Sequence, residues 1–192
     1  MKILPRKFYE RDPDLVAKDL LGKILVRKIN SQILSGKIVE TEAYFGEKDP
    51  ASRAYSGRPK FCVKLMKEKP GISLIYMVHN NWLLNFVAHE ENETGAVLIR
   101  AIQPLEGIEI MEANRRMSDI LNLTNGPGKL TKALNITKEL NGIDITDKKS
   151  ELTVIEEKGE NFEISSSHRV GVTKDLDQEL RFFIKGNEFI SR

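Results

Sequence analysis

Hydrophobic positions along the chain alternate between helical spacing and strand spacing. Residues 13–21 carry apolar side chains at helical spacing behind Asp12, and Gly22 follows them, so this segment predicts a capped amphipathic helix. Residues 24–29 and 33–44 flank a polar tripeptide and predict an antiparallel hairpin. Segment 46–70 shows no clear period, and we expect a long functional loop there with a short helix over 63–66.

A second hairpin is predicted over residues 72–88. Two apolar runs flank Asn80-Asn81, and asparagine tolerates the positive φ of a two-residue turn. If His79 and Trp82, which flank this turn, pair with each other across the hairpin, then Tyr76 lies directly opposite Asn85 and both side chains share one face. Taken by itself, ordinary core packing is the favoured interpretation of this pair, with the Asn85 amide satisfied by the backbone.

The rest of the pattern adds strands to the same sheet. Residues 96–100 predict a third strand of the meander, with Arg100 at its edge. Apolar positions after Gly107 predict an amphipathic helix. Further strands are predicted over 152–156, 169–172 and 180–185.

Residues 38–44 place two carboxylates and a phenol at alternating positions of a predicted strand. With a side-chain period of two, Ile38, Glu40, Glu42 and Tyr44 share one face. A solvated strand face is one interpretation of the two glutamates. The alternative is a cleft that covers the flanking apolar groups, and carboxylates in such a cleft shift each other's pKa as acid/base chemistry requires.

Composition limits the class of protein. The chain has 192 residues, a length that favours one domain, and a net charge of +2 permits an anionic partner without indicating a protein that coats nucleic acid. The single cysteine, Cys62, excludes an intramolecular disulfide, and three scattered histidines argue against zinc. We expect a soluble intracellular protein, since no signal peptide or membrane-spanning run is apparent.

A glycine-rich turn precedes a predicted helix near residue 127. Lys129 and Lys132 lie in its first turns, where backbone N–H groups and cations could meet a phosphate. The spacing differs from that of a nucleotide-binding P-loop. An ordinary Gly/Pro turn explains the same residues equally well.

Several ordered blocks stand out along the chain, namely Phe8-Tyr9, Ala17 with Leu20-Leu21-Gly22, residues 36–44, Arg100-Ala101, residues 104–107, residues 126–130 and residues 169–172. Together they resemble the alkyladenine (3-methyladenine) DNA glycosylase family. The resemblance covers nearly the whole chain and is most specific in the Ile-Val-Glu-Thr-Glu-Ala-Tyr core. It implies an α+β fold, a single mixed domain over residues 1–192 with a central curved antiparallel β-sheet and a β-hairpin flanked by helices.

The resemblance also implies residue roles. Glu42 resembles the base that activates water for attack on the anomeric carbon of a flipped purine nucleotide, and Arg100 resembles an arginine that keeps it ionised. Tyr44 and Tyr76 resemble the aromatic walls that stack on the extruded base. Asn85 matches a pocket asparagine that rejects guanine. Hydrolysis is monofunctional and needs neither metal nor cofactor.

Three departures from the family pattern concern DNA and lesion contacts. Arg53 stands where the family usually has histidine, and its fixed charge should oppose cationic alkylated purines and favour neutral lesions such as hypoxanthine. The hairpin tip is one residue shorter than is usual in the family, and His79 is the nearest candidate for the residue that fills the space left by the flipped base. The alternative is that His79 is only an exposed turn residue. Residues 59–62 replace a Thr-Arg-Asn type sequence.

The expected partner is double-stranded DNA that contains damaged purines, bound by a monomer. A non-catalytic nucleic-acid-binding module and a nucleoside or RNA N-glycosyl hydrolase remain the alternatives. The candidate phosphate contacts are Arg58, Lys60, Lys64, Lys129 and Lys132.

Overall fold

A computed structural model describes residues 2–57, 59–157 and 161–191. Arg58, one of the candidate phosphate contacts, lies outside them. The helices are α1 (Arg6–Tyr9), α2 (Pro13–Leu20), α3 (Lys60–Met66), α4 (Ile108–Arg115), α5 (Ile120–Leu123) and α6 (Pro127–Ala133). The strands are β1 (Ile24–Ile29), β2 (Gln32–Tyr44), β3 (Ser73–Val78), β4 (Asn81–Val87), β5 (Ala96–Glu106), β6 (Leu152–Ile155), β7 (Ile164–Ser167) and β8 (Arg181–Ile184).

Within the described residues, these eight strands form one antiparallel sheet, which confirms the expected α+β class. The main order is β3-β4-β5-β2-β1-β6, and β8 joins β7 to β2. One edge of β2 pairs with β5. Its other edge pairs first with β1 and then, at residues 40–42, with β8. The long strand β2 is therefore flanked by two neighbours where it carries the glutamates.

The helix α2 covers the sheet beside β2. The Asp12 side chain caps it by accepting from the backbone N–H of Asp14, and Pro13 occupies the first turn, where its missing N–H costs nothing. Val16, Ala17 and Leu20 are buried in the main core, at the helical spacing that the sequence shows. Burial of such an apolar stripe, at about 25 cal/mol per Å², holds the helix on the sheet.

Three register shifts interrupt the pairing of β2 with β5, and two of them are bulges beside Glu40. Ile38 pairs with Ile102 and Glu40 with Ala101, so Val39 is an extra residue on β2. The expected common face of residues 38, 40, 42 and 44 is therefore wrong at Ile38. That residue packs in the main core together with Val39, because the bulge breaks the alternation.

The hairpin of β3 and β4 turns one residue earlier than predicted. His79 and Asn80 have φ values of 46° and 60°, as a two-residue turn with two left-handed positions requires. Tyr76 consequently pairs with Leu83, and Asn85 pairs with Leu74, so the predicted direct pairing of Tyr76 with Asn85 is wrong. The register differs by two residues, which preserves the face, and the two side chains still share it.

Two further strand predictions are corrected. The third strand of the meander continues to residue 106, so Arg100 lies within it and not at its edge. Residues 169–172 form a turn, not a strand, and the neighbouring strand is β7. The short helix expected over 63–66 is present as α3, which begins earlier, at Lys60.

The start of α6 packs against the tip of the β3–β4 hairpin. A Cβ atom at Gly128 would lie 2.7 Å from the Cβ of Asn81, so only glycine permits this approach. The Thr131 hydroxyl donates to the backbone carbonyl of Trp82 at 2.7 Å. These contacts bring Lys129 close to the hairpin tip.

Candidate active site

The bulge between Glu40 and Thr41 places an arginine between the two glutamates. On β5, Ile99 pairs with Thr41 and Ala101 pairs with Glu40, which leaves Arg100 as the extra residue. Bulges redirect side chains in this way next to active sites. The Arg100 Nε donates to Oε1 of Glu40 at 2.7 Å, and its Nη1 lies 3.1 Å from Oε1 of Glu42.

Glu40 is held as a structural anion. Its carboxylate accepts from the Nε atoms of Arg100 and Arg181, each at 2.7 Å. It also accepts from the Ser191 hydroxyl at 2.7 Å and the Ser191 backbone N–H at 2.6 Å. Burial favours a raised pKa, but the Arg100 charge and the Ser191 and Arg181 hydrogen bonds outweigh it and lower the pKa of Glu40.

Glu42 has fewer and different partners. It is fully buried, its Oε1 accepts from the Val170 backbone N–H at 2.8 Å, and its Oε2 accepts from the Tyr44 hydroxyl at 2.7 Å. Burial raises the pKa of Glu42, and the Arg100 charge with these hydrogen bonds offsets only part of that rise. The two glutamates therefore have pKa values displaced in opposite directions, a pattern typical of acid/base sites.

A cleft of about 650 Å³ opens next to Glu42. The three groups that contact Glu42, namely Tyr44, Arg100 and Val170, all belong to residues that line it. Tyr76 and Arg53 line it as well. The cleft therefore combines two buried aromatic side chains with two guanidinium groups. Glu42 does not itself line the cleft and reaches it only through the residues that it contacts.

Asn85 lies beside this cleft without lining it. Its amide donates to the Leu74 backbone carbonyl at 3.1 Å, and the residue is almost fully buried. Contact with Asn85 lowers the pKa of Tyr76, although burial outweighs it and raises that pKa overall. Asn85 therefore contacts a residue of the cleft wall without lining the cleft itself.

The predicted DNA-contacting residues separate into two groups. His79 and Lys129 line the cleft, and the Lys129 ammonium donates to Asn125 at 2.7 Å. Lys60 and Lys64 are exposed on α3, and Lys132 is exposed on α6, all three outside the cleft lining.

Several groups at the site escaped the sequence analysis. Val170, Arg181 and Ser191 hold the glutamates from positions far along the chain. Arg169 was quoted only as part of a sequence block, yet its side chain is fully buried and pairs with the equally buried Asp49. A buried arginine and aspartate carry no periodic signal, so only their residue types hinted at a pair.

Among the described residues, no group of three or more His, Cys, Asp or Glu side chains is placed to hold a metal ion. In the same parts of the chain, no helix has the length and apolar character needed to cross a membrane.

The geometry is compatible with a hydrolytic type of site. A buried carboxylate with a raised pKa, steadied by an arginine and adjoining an aromatic cleft, can accept a proton from water while a flat ring system occupies the cleft. Burial raises the pKa of this carboxyl group, and the Arg100 charge opposes that rise by favouring the ionised form.

Comparison with known proteins agrees with this class of site. The family described as methylpurine-DNA glycosylase matches residues 7–188. A relative from Aeropyrum pernix is 44% identical over 193 residues, covering 100% of this chain and 94% of its own. A relative from Desulfitobacterium hafniense is 43% identical, and the match covers 100% of this chain and 99% of the relative. A relative from Clostridium novyi is 40% identical, and the match covers 100% of both chains. All three are provisionally named 3-methyladenine DNA glycosylases.

The chain therefore belongs to the methylpurine-DNA glycosylase family and is a DNA N-glycosylase, a hydrolase of base excision repair whose substrate partner is DNA.

Proposed function

We propose that Glu42 is the general base of this glycosylase and that it activates water for attack on the anomeric carbon of a damaged purine nucleotide. The contrast between the two glutamates is the observation that supports this role. Glu40 is saturated by two arginines and Ser191, and its pKa is lowered. Glu42 contacts three residues of the cleft wall, whereas Glu40 contacts two, Arg100 and Ser191. Because the pKa of Glu42 is raised, Glu42 is better suited to take up a proton.

The Arg100 guanidinium positions the base and its water. It lies between the two carboxylates and lines the cleft, so it can hold Glu42 ionised without leaving the substrate site. The reaction is hydrolytic and monofunctional. The water proton goes to Glu42, the oxygen bonds to the sugar carbon, and the purine leaves with the electrons of the N-glycosidic bond.

The cleft receives the purine after it rotates out of the duplex. Tyr44 and Tyr76 stack on the extruded base, an interaction of about 1–3 kcal/mol per base. Alkylated purines leave readily because they are cationic, and deaminated purines leave when protonated. Asn85, which contacts Tyr76, helps to reject guanine, and Arg53 biases selection toward neutral lesions.

DNA is held around this cleft by a monomer acting as one glycosylase domain. His79, at the tip of the hairpin, enters the space left by the flipped nucleotide. The proposed phosphate contacts are Lys60, Lys64, Lys129, Lys132 and Arg58. Lys60, Lys64 and Lys132 are exposed and Lys129 lines the cleft, and these positions support the proposed role.

A Glu42→Gln variant tests the proposal. The amide keeps the size of the side chain but cannot take a proton, so we expect base release from lesion-containing duplex DNA to fall by roughly 10²- to 10⁴-fold. Binding to the same duplex should persist. The matched control is Glu109→Gln, at an exposed position on α4, which should release base at the native rate.

The substrates in this assay are duplexes that carry hypoxanthine, ethenoadenine or methylated adenine. Native-rate base release by Glu42→Gln would refute the assignment of the base. A protein that binds these duplexes and releases no base from any of them would be a binding module. Preferred cleavage of free nucleosides or RNA would indicate a different N-glycosyl hydrolase.

A further inference from the structure

We infer that Arg169 is a positioning residue that fixes both the proposed base and one wall of the cleft. This inference rests on the proposed function of Glu42. Arg169 does not line the cleft, whereas Val170, Gly171, Val172 and Thr173 after it do. It acts through its neighbours, from behind the surface that meets the substrate.

The Arg169 guanidinium is clamped by two aspartates. Its Nη1 and Nη2 donate to the two carboxylate oxygens of Asp49 at 2.6 and 2.8 Å, in a bidentate pair whose side chains are both fully buried. Its Nε and Nη2 donate to Oδ1 of Asp175. Planar bidentate geometry of this kind suits arginine and cannot be reproduced by lysine.

Asp49 is itself fixed by the loop that leaves β2. Its carboxylate accepts from the backbone N–H groups of Phe45 and Ala51, each at 3.0 Å. Arg169 also donates to the backbone carbonyl of Ala43 at 2.9 Å. The clamp therefore joins the turn around residue 170 to the end of the strand that carries Glu42.

The position of Arg169 affects the candidate active site in two ways. First, the next residue, Val170, has its backbone N–H directed at Oε1 of Glu42, at 2.8 Å. Second, the Arg169 guanidinium carbon lies 4.5 Å from the centre of the Tyr44 ring, within cation–π range. One buried side chain thereby sets a hydrogen bond to the base and the position of an aromatic wall.

The charged and titratable groups around Glu42 define what a pH profile reports. Glu40 and Tyr44 face it from its own strand, Arg100 from β5 and Tyr76 from β3. From β8, the Arg181 side chain pairs with Glu40. The turn around residue 170 contributes the Val170 N–H, whose hydrogen bond lowers the pKa of Glu42. It also contributes the charged Arg169, which contacts the Tyr44 ring and is paired with Asp49 and Asp175.

The test compares pH profiles of single-turnover base release for native protein, Arg169→Lys and Asp175→Asn. We expect Arg169→Lys to lose roughly 10- to 100-fold at neutral pH, since sub-ångström misplacement of a base has effects of that size. The acid limb of its rate profile, where base release falls as the pH is lowered, should move to higher pH. The reason is that a weaker hydrogen bond from the Val170 N–H lets the pKa of Glu42 rise. Asp175→Asn, which removes a partly exposed partner, should shift the limb less and in the same direction.

Arg27→Gln provides a control for general destabilisation. Arg27 is also a buried arginine of this sheet and pairs with Glu151, far from the cleft. It should lower thermal stability and leave the acid limb in place. If both Arg169→Lys and Asp175→Asn keep the native acid limb, the positioning role is overturned. Loss of base release in Glu42→Gln alongside that result would leave the proposed base intact, so the two failures are distinguishable.

Discussion

The hydroxyl group of Tyr44 donates a 2.7 Å hydrogen bond to Oε2 of Glu42. The two residues are two positions apart on β2, so their side chains leave the strand on the same side. The bond favours the ionised carboxylate and lowers its pKa against the effect of burial. The proposed stacking wall and the proposed base are therefore one hydrogen-bonded unit.

A Tyr44→Phe variant should need a higher pH for base release. The ring is retained for stacking, but loss of the hydroxyl raises the pKa of Glu42 further, and the base acts only when ionised. We expect the acid limb of the rate profile, measured by single-turnover release from about pH 5 to about pH 9, to move upward. Tyr55→Phe, at an exposed position outside the Glu42 contacts, is the control. An unmoved limb would contradict the link.

Glu40→Gln should affect stability more than chemistry. The change leaves Arg100 and Arg181 facing a neutral amide, and breaking a buried pair costs about 3–5 kcal/mol in the free energy of unfolding. The pKa of Glu40 is lowered in the folded protein. Its charge therefore stabilises the fold fully above the ordinary glutamate value of about 4.3 and loses this effect as pH falls through the lowered value.

Urea unfolding of native protein and Glu40→Gln at neutral and acidic pH measures this difference. The gap between the two should narrow on acidification. A gap that is independent of pH would show that Glu40 contributes by packing alone. Glu109→Gln again serves as the exposed control.

Arg53→His should change lesion selectivity. Arg53 is exposed and lines the cleft, where its fixed charge opposes a cationic alkylated purine. Repulsion between partly solvated charges is worth about 1 kcal/mol, so the ratio of methylated-adenine to hypoxanthine excision should rise about fivefold. The excision rates of both lesions in matched duplexes give the ratio, and Lys149→Gln, remote from the cleft, should leave it unchanged. Equal ratios for native and Arg53→His protein would contradict the proposed effect of the Arg53 charge on lesion selection.

Tyr9→Phe should leave the fold equally stable or more stable. The Tyr9 ring is fully buried against Phe8 and Phe86, and within the described residues its hydroxyl has no hydrogen-bond partner. An unsatisfied buried hydroxyl costs roughly 1–3 kcal/mol, so removing it should raise the free energy of unfolding by up to about 1 kcal/mol after repacking. Denaturant unfolding measures the change. Tyr44→Phe, which breaks a formed hydrogen bond, should change stability in the opposite direction.

Local periodicity was sufficient to predict much of the fold. The helix α2, both hairpins and the common face of Glu42 and Tyr44 follow from side-chain spacing. The hairpin tip was placed one residue late, yet Tyr76 and Asn85 keep a common face, because a two-residue shift of register conserves the side of the sheet. The prediction of a strand at 169–172 was wrong, since a short apolar run does not reveal that its backbone is engaged elsewhere.

Spacing along the sequence determined which side of an element its residues face where the repeat is unbroken, as at Glu42 and Tyr44, but not across the bulge at Val39. Tertiary structure alone decided that Arg100 is the bulged residue between two glutamates, and that Val170 meets Glu42 across 128 positions of sequence. Arg169 and Asp49, 120 positions apart, likewise become a buried pair only in the folded protein. Such contacts depend on how distant segments close together and satisfy each other's buried polar groups, and no local repeat encodes that closure.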